Sequence, residues 1–110
     1  MKTTIYHNQR CSKSRQALEI IRGKGIEPEI IDYLNNPLDL AGLKELYTAL
    51  KLDSALPMIR LKESELTKDS SNDEILAAIA AHPKLLERPI VVTNGGVRIC
   101  RPPELVEEII

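Results

Sequence analysis

Cys11 is the residue of this chain whose neighbours most favour chemistry. Arg10 precedes it, and Lys13 and Arg15 follow within four residues. Positive charge stabilises a thiolate, which is the nucleophilic form of cysteine. A small, buried, hydrophobic cysteine is the ordinary alternative, but three cations so close in sequence argue against burial. The pattern therefore predicts a reactive thiol.

The pattern around Cys11 also predicts a junction between a strand and a helix. Residues 3–7 form a short β-rich run, and apolar residues then recur at helical spacing between residues 14 and 24. Backbone N–H groups and the positive end of the helix dipole meet at such a junction, where they favour a thiolate or a tetrahedral anion. His7 at the strand end and the hydroxyls of Ser12 and Ser14 add polar groups beside the thiol.

The first third of the chain continues with a second β-rich run at residues 29–34, which predicts a β-α-β unit with a parallel crossover. The middle of the chain predicts helices. Asn36 is the expected N-cap of one, with Pro37 at its first position. Residues 54–61 predict a short, irregular helix, and the capping-box spacing of residues 71–74 opens a third.

The last quarter of the chain predicts a β-hairpin and a helix. Residues 89–93 and 97–100 are β-rich runs on either side of Asn-Gly-Gly. Two prolines, Pro102 and Pro103, then start a final helical pattern. The order of elements is β-α-β, a helical insertion, then β-β-α. This order predicts an α/β protein with a thioredoxin-like mixed sheet.

Composition limits the classes of function. Fifteen basic and sixteen acidic residues give a net charge of −1, which excludes a nucleic-acid binder that works by neutralising phosphates. No apolar run approaches the ~20 residues of a membrane helix, and no Lys-led apolar leader opens the chain. We therefore expect a soluble, cytoplasmic protein. A length of 110 residues with 43% hydrophobic residues predicts a single domain over residues 1–110.

Three motifs, in order along the chain, resemble the glutaredoxin-coupled arsenate reductase family. They are His-Asn-Gln-Arg-Cys-Ser-Lys-Ser-Arg at residues 7–15, Glu-Arg-Pro-Ile-Val-Val at 87–92, and Arg-Ile-Cys-Arg-Pro-Pro-Glu at 98–104. The resemblance covers essentially the whole chain. One departure is Ser12-Lys13, where the better-known members carry a small Gly-Thr pair.

The resemblance implies roles for individual residues. Cys11 matches the nucleophile, His7 the histidine that helps to lower its pKa, and Ser14 the serine that supports the thiolate. Pro89 matches the proline that faces the cysteine, often after a cis bond. Three arginines of this chain match the family's arginines that bind the oxyanion and the arsenic intermediate. They are Arg60, Arg88 and Arg101. Arg15, read from its place beside the cysteine, is a further candidate for binding the oxyanion.

The implied reaction converts arsenate to arsenite. The Cys11 thiolate forms a bond to arsenic, glutathione acts as co-substrate, and glutaredoxin is the protein partner. No bound cofactor and no metal are expected, and nucleic-acid and membrane partners are not expected either. Arginine suits a tetrahedral dianion because its fork donates to two oxygens at once and stays charged.

The second cysteine, Cys100, is not expected to resolve the first. Cys100 and Arg101 are adjacent at a predicted strand end, where successive side chains point to opposite faces. If Arg101 reaches the anion, Cys100 points away from Cys11. Two cysteines are also too few for a disulfide scaffold, and with two histidines they do not make a structural zinc site.

Two other functions stay open at this point. One is a glutathione-linked thiol oxidoreductase that acts on mixed disulfides, since Cys11-Ser-Lys-Ser14 also has a monothiol glutaredoxin-like form. The other is a redox regulator of the same fold that binds RNA polymerase. Many of those regulators carry Cys-x-x-Cys, and here the second position is Ser14, which favours the enzyme.

Overall fold

The computed structural model describes residues 3–110 of the protein. These residues divide into two compact units. One unit contains the chain up to Asn36 together with Arg88–Ile110, and the other contains Pro37–Glu87. The first unit holds the sheet and Cys11, and the second is helical.

The first unit is built on a four-stranded mixed sheet. Its strands are β1 (Thr4–His7), β2 (Glu29–Asp32), β3 (Ile90–Thr93) and β4 (Gly96–Ile99), in the spatial order β2-β1-β3-β4. β1 pairs parallel to β2, whereas β3 is antiparallel to both β1 and β4. The predicted parallel crossover, hairpin and mixed sheet are all confirmed.

Helix α1 (Ser12–Gly23) connects β1 to β2 and buries Ala17, Leu18 and Ile21. These side chains share one core cluster with residues from β1, β3 and the end of the chain: Ile5, Val91, Cys100 and Val106. The apolar stripe predicted from the sequence is thus the face of α1 that packs into the core. This packing fixes the N-terminal end of α1 at the end of β1.

The final segment differs from the predicted helix. Pro103–Glu108 form a 3₁₀ helix with Val106 buried, and Leu105 N–H donates to Pro102 C=O at 3.1 Å. The predicted helical segment is thus present, but with i→i+3 bonds in place of the i→i+4 bonds of an α-helix. The Thr93 hydroxyl anchors the segment by donating to Ile109 C=O at 2.5 Å.

The second unit contains α2 (Leu40–Leu50) and α3 (Asn72–Ala81). The predicted N-cap of α2, Asn36, is wrong. Asp39 caps this helix, because its carboxylate accepts from Gly42 N–H at 2.8 Å, while Asn36 N–H donates to Asp32 C=O in a preceding turn. A short acidic side chain at the N-cap satisfies one of the open N–H groups of the first turn.

Short 3₁₀ turns complete the second unit. Leu56–Met58, Leu61–Glu63 and Pro83–Leu85 are such turns. The irregular helix predicted for residues 54–61 is therefore a single turn, and the next turn begins only at Leu61. The capping box of Ser71 and Glu74 is present as predicted. No helix within residues 3–110 is long and apolar enough to cross a membrane.

Candidate active site

Cys11 is the N-cap of α1. Its backbone is extended (φ −92°, ψ 120°), and its side chain makes no capping hydrogen bond. The Cys11 N–H donates to Asn8 C=O at 2.9 Å, and its C=O accepts from Arg15 N–H at 3.1 Å. These bonds fold residues 8–11 into a tight turn between β1 and α1. The partly exposed thiol is therefore free to react at the positive end of the helix.

Ser14 fixes this turn from the buried side. Its hydroxyl oxygen lies 2.6 Å from His7 Nδ1 and accepts from Asn8 N–H at 3.1 Å. With Asn8 as the donor to Oγ, the Ser14 hydroxyl hydrogen is available to donate to Nδ1 of a neutral His7. Ser14 and His7 are both buried. The role of Asn8 was missed by sequence reasoning, although its position directly after a strand is a signal for such a turn residue.

The charge of His7 differs from the expectation. Burial lowers the pKa of His7, and Arg22 and Arg15 lower it further, against an opposing effect of Asp32. A lowered pKa favours the neutral imidazole, which adds no positive charge beside the thiolate. The role of His7 in lowering the Cys11 pKa stays a prediction. In this structure His7 is a packing and hydrogen-bonding partner of Ser14.

Arg15 makes a contact that the sequence did not predict, and its role in binding the oxyanion stays a prediction. Its Nη1 donates to Gln9 C=O at 2.8 Å, so its guanidinium braces the turn that carries Cys11. Arg10 and Lys13 are exposed, and the backbone N–H of Arg10 donates to Asn8 Oδ1 at 3.0 Å. The loop around Cys11 is cationic, as the sequence predicts. Of its cations, Arg15 contacts the backbone of the turn, whereas Arg10 and Lys13 are exposed.

The cations that act on the sulfur come from the other end of the chain. Arg101 Nη1 lies 3.8 Å from Cys11 Sγ and 3.1 Å from Arg88 C=O. The Arg88 guanidinium acts on the thiolate both as a hydrogen-bond donor and as a charge. Arg88 Nε is buried and has no hydrogen-bond partner within residues 3–110. The Arg88–Pro89 peptide bond is cis, as the resemblance implies, and so is Arg101–Pro102.

The pKa of the Cys11 thiol lies below its ordinary value. Burial by itself raises this pKa, but three contacts outweigh it: the backbone N–H of Ser14, the Arg88 side chain and the backbone N–H of Lys13. The predicted direction agrees with the structure, and so does the predicted part of the backbone N–H groups at the helix N-terminus. The predicted part of the side chains is corrected. Ser14 supports the thiolate through its backbone rather than its hydroxyl, and Arg88 replaces Arg10 and Arg15 as the stabilising charge.

Cys100 lies in the core cluster of the first unit and is fully buried. Burial is the main reason that its pKa is raised to about 12. Its Sγ lies 3.6 Å from Arg98 C=O, and both cysteines are free thiols. Cys100 thus points into the core while the neighbouring Arg101 reaches Cys11, as the strand alternation predicts.

Arg60 belongs to the second unit. Its guanidinium forms an ion pair with Glu63 and another with Glu87, the latter at 3.5 Å. The backbone around it is held by the bridge between Ile59 and Leu86. Its role in binding the oxyanion stays a prediction. An oxyanion that binds to Arg60 has to compete with the carboxylates of Glu63 and Glu87 for the guanidinium.

The arrangement at Cys11 suits nucleophilic attack on an oxyanion. Helix N–H groups and Arg88 lower the pKa of the Cys11 thiol, which favours its reactive anionic form. Arg88 and Arg101 supply the positive charge without which a thiolate and an anion repel each other. Within residues 3–110, no three or more His, Cys, Asp or Glu side chains cluster as metal ligands do.

Comparisons with known proteins agree with this geometry. The model of the ArsC family matches residues 6–109. An arsenate reductase from Neisseria meningitidis serogroup A is 46% identical over 112 residues, which cover 96% of each chain. The solved arsenate reductase from Vibrio cholerae is 45% identical and superposes with a TM-score of 0.91 over 100% of this chain and 98% of its own. An ArsC-related protein from Bacteroides fragilis, 24% identical, shares the fold with a TM-score of 0.85. The predicted thioredoxin-like fold class is confirmed.

Proposed function

The chain belongs to the ArsC family, and from this premise we propose that it reduces arsenate to arsenite through a Cys11–arsenic adduct. Relatives named arsenate reductase, each covered almost completely, support the substrate. The observation that carries the proposal is the convergence of Arg101, 3.8 Å from Cys11 Sγ, and Arg88 on a thiol whose pKa is lowered. A nucleophile, the Cys11 thiol, therefore lies next to two anion-binding groups, Arg88 and Arg101.

The first chemical step follows from these contacts. Arsenate binds to the forks of Arg88 and Arg101, which neutralise its negative charge. The Cys11 thiolate attacks arsenic, an S–As bond forms, and hydroxide leaves. Arsenic stays in the +5 state during this step. The helix N–H groups that stabilise the thiolate remain next to the oxygens of the adduct.

The electrons come from external thiols, because Cys100 is buried in the core and cannot serve as a second thiol. Glutathione replaces a second hydroxyl on arsenic, and the thiolate of glutaredoxin then attacks the glutathione sulfur. The electron pair of that S–As bond stays on arsenic, which becomes As(III), while glutaredoxin and glutathione form a mixed disulfide. Water cleaves the remaining Cys11–As bond, which releases arsenite and restores the thiolate. This scheme places the protein in the reducing cytoplasm, with no bound cofactor.

Arsenite formation by the purified protein tests the proposal. Arsenate, glutathione and glutaredoxin are supplied together, and each is omitted in turn. We expect arsenite only in the complete mixture. Equal activity with thioredoxin in place of glutathione and glutaredoxin would contradict the proposed electron donor. Reduction of a glutathionylated model disulfide without any reduction of arsenate would instead favour a general thiol oxidoreductase.

A further inference from the structure

Positive charge in the first unit is distributed unevenly. Three of its cations are neutralised by carboxylates, in the ion pairs Arg22–Glu27 (3.0 Å), Lys24–Glu107 (3.6 Å) and Arg98–Glu108 (2.5 Å). By contrast, Arg10 and Lys13 are exposed and have no carboxylate partner within residues 3–110. These two cations flank Cys11 on its N-terminal and C-terminal sides.

Helix stability does not explain the charge of Lys13. Lys13 lies in the first turn of α1, which contains no acidic residue. A cation at the positive end of a helix is unfavourable, because it is repelled by the helix dipole. In the second unit, α3 follows the stabilising rule and carries Asp73 and Glu74 in its first turn. A local rule broken beside a reactive group indicates a functional use of the charge.

The other cations near Cys11 already have partners or tasks. Arg15 donates to Gln9 C=O and braces the turn. Arg88 and Arg101 act on the sulfur and, in the proposed function, on the oxyanion. Arg10 and Lys13 therefore remain available for a second anionic group that approaches Cys11 from solvent.

We propose that Arg10 and Lys13 form a docking surface for the terminal carboxylates of glutathione. Glutathione has its thiol on the central residue and a carboxylate at each end, which matches a cysteine with one cation on each side. Arg10 and Lys13 are three residues apart, so their Cα atoms lie within about 10 Å of each other, which is the scale of an extended tripeptide. The inference rests on the proposed function for its biological setting, since glutathione is the co-substrate there.

The surface makes Cys11 selective for acidic thiols and disulfides. Thiol–disulfide exchange with glutathione disulfide measures this selectivity without arsenate. The Cys11 thiolate attacks one sulfur of the disulfide, forms Cys11–S–S–glutathione, and releases the other glutathione as a thiolate. Hydroxyethyl disulfide undergoes the same exchange without any charge. The change in the ratio of the two rate constants when Arg10 or Lys13 is substituted therefore reports the electrostatic contribution of the surface.

The test compares wild type, Arg10→Gln, Lys13→Gln and the double variant, with Lys24→Gln as the matched control. Lys24 lies beyond the other end of α1, where it pairs with Glu107. Its variant loses one positive charge away from Cys11, the same loss as in each single variant. We expect the double variant to react about tenfold more slowly with glutathione disulfide. Its rate with hydroxyethyl disulfide should be unchanged, and 1 M NaCl should remove most of the difference.

Two results would overturn the docking surface. One is an equal fall in rate with both disulfides, which would mean that the variants changed the nucleophile rather than the docking. The other is a loss in Lys24→Gln equal to the loss in each single variant, which would show an effect of net charge only. Either result leaves the reduction of arsenate untouched. Conversely, a protein without arsenate reductase activity that keeps this selectivity would refute only the proposed function.

Discussion

Arg101 Nη1 lies 3.8 Å from Cys11 Sγ, although 90 residues separate them in the chain. The mixed sheet produces this contact, because β3 pairs with both β1, which leads to Cys11, and β4, which leads to Arg101. A second bond, from Arg101 Nη1 to Arg88 C=O at 3.1 Å, joins the two arginines at the thiol. The site is therefore assembled from both ends of the chain.

Replacing Cys11 by serine should abolish the formation of arsenite, because a serine hydroxyl has no accessible anionic form to attack arsenic. The fold should persist, since the Cys11 side chain makes no capping bond and is partly exposed. Circular dichroism and the arsenite assay on the same sample check both statements. Substantial turnover in Cys11→Ser would contradict the adduct mechanism.

Alkylation by iodoacetamide over a pH series should show that Cys11 titrates below the free-thiol value of about 8.5. Arg88→Gln should move the midpoint upward, because it removes the charge that stabilises the thiolate. Arg10→Gln is the control and should leave the midpoint nearly unchanged. Mass spectrometry assigns the label, and Cys100 should react only in unfolded protein because it is buried. A midpoint in wild type at or above the free value would refute this account.

Substitution of either arginine by lysine should impair the handling of the oxyanion although the charge is kept. An ammonium group is a point charge and cannot replace the two-pronged contact of a guanidinium. We expect Arg88→Lys and Arg101→Lys each to lose about tenfold or more in kcat/KM for arsenate, since one charge-assisted hydrogen bond contributes roughly 1.5–3 kcal/mol. Kinetics identical to wild type in both variants would show that neither arginine binds the substrate.

Cys100→Ser should keep most of the activity, because this thiol lies in the core and takes no part in the proposed electron transfer. Oxidation of the wild-type protein should not produce a dominant bond between Cys11 and Cys100. Peptide mapping under non-reducing conditions gives the pairing directly. A major intramolecular disulfide together with turnover in the absence of glutathione would reverse this interpretation.

Acidification should destabilise the protein through His7. Its pKa is lowered in the folded state, chiefly by burial, so below pH ~6.5 the unfolded chain binds more protons than the folded one. The free energy of unfolding should therefore fall as the pH decreases through that value. In His7→Gln this dependence should be weaker, with a general loss of roughly 1–3 kcal/mol from the buried bond to Ser14. Urea unfolding at pH 7.5 and 5.5 gives the free energy of unfolding of each protein at both values. An equal decrease of this free energy between pH 7.5 and 5.5 in wild type and His7→Gln would contradict a lowered pKa of His7.

Local patterns in the sequence were sufficient to predict the strands, the main helices and the position of Cys11 at a helix N-terminus. These features depend on residues close together in the chain: the β-rich run before Cys11, the apolar stripe of α1 and the capping box at Ser71. The same patterns misplaced the N-cap of α2, because Asn36 and Asp39 are both good capping residues and only the path of the turn selects Asp39.

The tertiary structure decided what each charged group near Cys11 does. The sequence by itself determined that cations surround the thiol, but Arg15 binds a backbone carbonyl whereas Arg88 and Arg101 converge on the sulfur from distant segments. It also decided that His7 is buried, which lowers its pKa. Sequence spacing specifies which residues are neighbours along the chain. Burial and the direction of a guanidinium depend on how the strands pair, and that pairing joins segments whose separation in sequence is large.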